Sequence, residues 1–103
     1  MGKTSQLTIS VKIYKVRKEV MVAACDAELL GNEYCTGNIQ IKVGDFYRGK
    51  LVSEGDFAEM LSEMTVGNFV GERTIRICIS LGIIDKRDIV DVGGVKHAQY
   101  ISI

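Results

Sequence analysis

Leu7-Thr8-Ile9-Ser10-Val11-Lys12-Ile13 and, after the charged stretch Lys15 to Lys18, Val20-Met21-Val22-Ala23-Ala24-Cys25 decide how this chain folds. The first run alternates apolar and polar residues, the period-two pattern of a strand with one face buried. The second is apolar throughout, as in a central strand covered on both sides. A short connection joins them as a hairpin. Downstream, Asp26 with Ala27-Glu28-Leu29-Leu30-Gly31 reads as an N-cap, one helical turn and a glycine stop. Residues 35–38 have a loop composition, and Ile39, Ile41 and Val43 alternate as a third strand over 38–43. Phe46 to Leu51 fits a short strand or an ordered loop. Ser53 precedes Asp56, Phe57, Met60, Leu61 and Met64, a helical spacing that predicts a helix over 54–65. After Val66-Gly67-Asn68 the apolar spacing from Phe69 predicts a second helix that ends at Gly82, with strand as the alternative for Thr74 to Ile79. Gly93-Gly94 separates two β-like runs, 88–92 and 98–103, and predicts a C-terminal hairpin. The expected fold is α+β, one small domain over residues 1–103. It is mainly antiparallel sheet, with two helices between the N-terminal strands and a C-terminal hairpin. Residues 1–6 are expected to be disordered.

Composition narrows function. Hydrophobic residues are 47% and charged residues 25%, the balance of a globular rather than a disordered chain. Thirteen basic residues against thirteen acidic give no net charge, which argues against strong nonspecific nucleic-acid binding while leaving room for local basic patches. Cys25, Cys35 and Cys78 are an odd set without a CxxC pair, so neither a disulfide framework nor a zinc knuckle is signalled. No apolar run reaches the roughly 18 residues of a membrane helix. These features lead to the expectation of a cytoplasmic protein without cofactor, metal or membrane contact, monomeric or weakly dimeric. Gly2-Lys3-Thr4 has the look of a phosphate-loop ending but lacks the preceding strand and glycine that would cradle phosphate.

Several groups are candidates for chemistry. His97, the lone histidine, can act as acid, base or donor, or can hold backbone groups at a strand end. Cys25 beside Asp26 lies where a buried strand meets a helical turn whose dipole would favour a thiolate; the plainer account is a small buried hydrophobe and a cap. Asn68, Gly71 and Glu72 lie in the break between two helices, where free amides could receive an anion, or where Asn68 caps and Glu72 reaches back. Tyr14, Lys15, Arg17 and Lys18, and again Phe46, Tyr47, Arg48 and Lys50, set cations beside aromatics, a combination suited to stacking on unpaired bases. Solvated hairpin turns have the same composition.

The run Val22 to Gly31, then Phe46-Tyr47, then Asn68-Phe69-Val70-Gly71-Glu72, then Gly94-Val95-Lys96-His97-Ala98-Gln99 resembles the archaeal DUF424 family, in its order and approximate spacing. The resemblance implies a small stand-alone archaeal protein, sometimes associated with RNA and translation, without assigned activity. Three functions follow as expectations. The first is a binding module for RNA or a ribonucleoprotein or translation-related partner, using Asn68, Gly71, Glu72, His97, Gln99, Tyr14, Lys15, Tyr47 and Arg48. The second is a small enzyme with a polar site of Cys25, Asp26, Glu72 and His97. The third is a protein-interaction adaptor.

Overall fold

The computed structural model describes residues 6–102. Among these residues eight strands run in chain order: β1 Ile9–Val16, β2 Glu19–Asp26, β3 Glu33–Thr36, β4 Ile39–Lys42, β5 Lys50–Val52, β6 Val66–Val70, β7 Val90–Val92 and β8 Val95–Ile101. Helices α1, Glu54–Glu59, and α2, Glu72–Ser80, flank β6, and single 3-10 turns occupy Ala27–Leu29 and Lys86–Asp88. Six strands form one sheet in the order β5-β1-β2-β6-β8-β7, and β3 and β4 form a separate two-stranded sheet. Neighbours in the large sheet are antiparallel except β2 and β6, which run parallel. The class is α+β, as the sequence leads one to expect. No helix among the described residues is long and apolar enough to cross a membrane.

Strand alternation divides the core into two layers. Ile9, Val11, Val22, Ala24, Phe69 and Ala98 face the helices, where Phe57 of α1 and Ile75 and Cys78 of α2 close the larger core. Phe57 and Phe69 meet edge-on, with centroids 6.3 Å apart, the geometry that aligns a ring's positive edge with its partner's negative face. The opposite face carries Ala23, Cys25 and Val70, covered by Val43, Tyr47 and the β3–β4 hairpin. β2 and β6 are therefore covered on both sides, which explains the unbroken apolar run of β2.

Four sequence expectations need correction. Residues 66–70 are not a break between helices but the central strand β6, whose Gly67 and Asn68 disguise it. Phe69 and Val70 belong to this strand, so α2 begins only at Glu72. The regular part of α1 stops at Glu59 and the chain continues in turns to Met64, short of the expected 54–65. The 38–43 strand forms, as β4, but it pairs with β3, where loop was expected at 35–38, and stays out of the large sheet. The C-terminal hairpin is present with Gly93 and Gly94 at φ 60° and 89°, the left-handed pair that a two-residue turn demands. The expectation of disorder over 1–6 falls on residues 1–5, outside the described residues; Gln6 is exposed and in no regular element.

Candidate functional site

The face of the sheet opposite the helices carries the polar groups that converge. Residues 44–49 fold across β1, held by Ser10, whose fully buried hydroxyl donates to the Tyr47 carbonyl at 2.8 Å and accepts from the Gly49 amide at 2.9 Å. Tyr14 stacks on Phe46, centroids 5.3 Å apart and planes 17° from parallel, and donates its hydroxyl to the Phe46 carbonyl at 2.8 Å. These contacts plant the Tyr47 ring in the small core with Ala23, Cys25 and Val70. Its hydroxyl then reaches the middle of the sheet and donates to Asn68 Oδ1 at 2.6 Å. From β8, His97 Nε2 lies 3.0 Å from the same oxygen, and Gln99 stands directly opposite Asn68 in the β6–β8 register. Asn68, His97 and Gln99 thus floor a cleft of about 530 Å³ walled by β4, Phe46 and β7, within the size range of small-ligand sites.

Burial fixes the protonation states here. It pushes the Tyr47 phenol up to about 12, with the nearby Cys25 thiol adding to the shift, so Tyr47 remains an O–H donor at neutral pH. Burial pushes His97 down from its ordinary 6.5. The unfolded chain therefore binds this proton more readily than the folded one, so stability is full above about pH 6.5 and declines as pH falls through and below it. Glu28 and Asp85 are held below their ordinary 4.5 and 3.8 by hydrogen bonds from Arg73 and Arg87, so their contributions are lost only in stronger acid. We expect the denaturation midpoint to drop between about pH 7.5 and 5. The drop should flatten in His97→Gln. An equal slope in that variant would show that His97 is not its source. Among the described residues no three His, Cys, Asp or Glu side chains gather to hold a metal ion.

A family profile described as "Protein of unknown function (DUF424)" matches residues 14–103. The chain belongs to this family. A solved structure described as that of an uncharacterized conserved protein from Methanopyrus kandleri shares its fold, with TM-score 0.74 and 24% identity, covering 92% of this chain and 93% of that one. No curated protein matches.

In this DUF424 protein the residues singled out from sequence separate into two sets. Tyr14, Tyr47, Asn68, His97 and Gln99 share the hairpin face. Gly71 and Glu72 lie at the start of α2, on the helix side, where Glu72 accepts from Lys96 Nζ at 2.9 Å. Asn68 caps nothing: it is mid-strand, and Gly71 occupies the cap position of α2. The amides of Arg73 and Thr74 that would hold an anion there are already taken by Asp26. Asp26 in turn makes no side-chain cap on the 3-10 turn that follows it. Lys15 is exposed without a carboxylate partner among the described residues, and Arg48 pairs with Asp45 at 3.3 Å. The enzyme quartet does not assemble. Cys25 and His97 face the hairpin side, with Val70 between them in register, so two strand spacings of ~4.8 Å put them about 10 Å apart. Asp26 and Glu72 lie on the other face. Cys25 is fully buried, and burial raises its thiol to about 12, the reverse of an activated nucleophile. Sequence reading missed Ser10 and the Tyr47–Asn68–His97 convergence, since only long-range pairing brings these groups together.

Proposed function

We propose that the protein is a binding module for single-stranded RNA, with an unpaired base entering the Asn68–His97–Gln99 cleft and the phosphate backbone following β1. The distribution of cations carries this reading. Lys12, Lys15, Arg17, Lys18, Lys50 and Lys86 have no carboxylate within ion-pair reach among the described residues, whereas the other described Lys and Arg all do. All but Lys86 lie on β1, its turn or β5. A chain of zero net charge thus has one basic edge; Lys12 stands on its cleft side beside the Tyr14–Phe46 stack, while Lys15 and Lys50, in alternation, point to the helix side of the same edge. Phe46 is 39% exposed at the cleft wall, leaving apolar ring surface for a base. At the hairpin tip Arg17 keeps a cation at φ 56°, a conformation that glycine or asparagine would adopt more readily.

The test is fluorescence polarisation with short labelled homopolymeric oligoribonucleotides at low and at physiological salt. Binding should weaken steeply as salt rises, because phosphate contacts release counterions. Replacing Lys12 or the turn residue Lys18 by Ala should lower the slope of log K against log salt by roughly 1 for each phosphate left without its cation, and Lys15→Ala, on the other side of the edge, by less. Absence of binding to every oligomer at low salt ends this reading.

A further inference from the structure

Resting on that reading, we infer that Tyr47 and His97 are positioning residues that lock the Asn68 side chain so that its amide nitrogen faces the cleft as a fixed donor. The ligand group it takes is a hydrogen-bond acceptor on the edge of an unpaired base: a carbonyl oxygen or an unprotonated ring nitrogen.

Three observations carry this. The Tyr47 hydroxyl lies 2.6 Å from the Asn68 side chain, a separation typical of O–H···O bonds and shorter than the 2.7–3.2 Å range of bonds involving an amide N–H. The carboxamide oxygen therefore faces Tyr47, and the nitrogen faces the other way. His97 Nε2, 3.0 Å from that same oxygen, must be its protonated nitrogen, since the oxygen only accepts. With Oδ1 occupied by two donors, a flip of the amide would break both bonds at once. The third observation concerns what remains. Asn68 Nδ2 has no bonding partner among the described residues, and it is absent from their sealed, unpartnered polar atoms, of which Arg73 Nε is the one example. Nδ2 therefore reaches solvent, and the opening beside Asn68 is the cleft. Gln99, directly opposite, is exposed and free to turn its amide either way. It adapts to a base edge, whereas Asn68 dictates to it.

The experiment compares four proteins against two ligands. Asn68→Asp keeps an oxygen for Tyr47 and His97 but replaces the donor by an acceptor, so the wild-type ligand meets a repulsive edge. Tyr47→Phe keeps the ring in the core and releases the amide to flip. Their combination completes a cycle. The ligands are the best-bound oligoribonucleotide and the same oligomer with abasic residues, which retains phosphates and sugars. Far-UV circular dichroism and the thermal midpoint establish folding of each variant. For the base-bearing oligomer we expect Asn68→Asp to weaken binding by at least about tenfold and Tyr47→Phe by roughly three- to tenfold. The double variant should lose no more than Asn68→Asp alone, because Tyr47 acts through Asn68. Abasic RNA should bind wild type and Tyr47→Phe alike, and should lose clearly less on Asn68→Asp than the base-bearing oligomer does, since there only the added negative charge acts on the phosphates.

Wild-type affinity that survives both single variants overturns the inference and leaves RNA binding standing. So does an equal loss with abasic RNA, which would assign the acceptor to phosphate or sugar, and so does an additive double variant. No retention of either oligomer by the wild-type chain refutes the RNA reading itself.

Discussion

Asp26→Ala should destabilise the fold by about 3–5 kcal/mol, the cost of removing one partner from a buried polar cluster. Asp26 is 3% exposed at the end of β2, paired in register with Ile9 and turned toward the helices. One carboxylate oxygen accepts from the Thr74 amide at 2.9 Å and the Thr74 hydroxyl at 2.8 Å; the other accepts from the Arg73 amide at 3.2 Å. The Arg73 guanidinium approaches the same carboxylate and also reaches the Thr8 carbonyl and Glu28. A single side chain thus caps α2 and ties it to β1 and β2, with a negative charge at the positive end of the helix. Alanine leaves the Thr74 hydroxyl and amide enclosed without partners. For a domain whose whole stability is about 5–15 kcal/mol, this is a large share, and the melting midpoint should fall by roughly 15–25 °C. Asp26→Asn keeps one acceptor oxygen but aims an NH₂ at donors, so it should lie between wild type and Ala. Thermal denaturation followed by circular dichroism measures this. A loss within the range of an ordinary surface substitution, about 0.5 kcal/mol, would show that α2 needs no such cap.

Asp26 also shows what the sequence could disclose. Its side chain was legible as a cap, and a cap it is. The helix it caps begins 46 residues later, at Glu72, and the turn that immediately follows goes uncapped. Local rules identified the residue type that finishes a helix but not which helix. Strands followed the same division. β1 and β2 were readable because alternation and a continuous apolar run record how many faces are buried. Ser53 announced α1 correctly, accepting from the Asp56 amide at 3.1 Å. β6 was not readable. Its five residues, Val66 to Val70, include glycine and asparagine, both poor strand formers, and it is extended because β2 and β8 pair with it on either side. With β6 hidden, Asn68 looked like a helix cap. Its partners Tyr47 and His97, 21 and 29 residues distant, could not be connected to it. The basic edge was hidden differently: net charge is blind to which cations already have carboxylate partners.

Gly71→Ala should cost about as much as Asp26→Ala, near 3–4 kcal/mol, by two routes that a double variant separates. Gly71 sits at φ 115° and ψ 156°, immediately before α2. That region is essentially restricted to glycine, and a side chain forced into it costs about 1–3 kcal/mol. Rotation to a relaxed conformation is blocked, because the Gly71 amide donates to the Lys96 carbonyl at 2.9 Å while its own carbonyl accepts from the Ile75 amide at 3.0 Å. The second route is contact: a Cβ on Gly71 would lie 2.5 Å from Asp26 Cγ and 2.7 Å from its Oδ1. Alanine therefore pushes away the carboxylate on which the helix start depends. In the Asp26→Ala background the obstructing group is already gone and only the backbone strain remains. The double variant should then be more stable than the sum of the single losses predicts, by about 1–2 kcal/mol, the coupling expected of residues in direct contact. Strict additivity in urea denaturation would mean that the backbone conformation of Gly71 accounts for the whole effect. Glycine is thus required at this position on two counts, because the backbone needs an unusual φ and because the carboxylate that caps α2 fills the space a side chain would take.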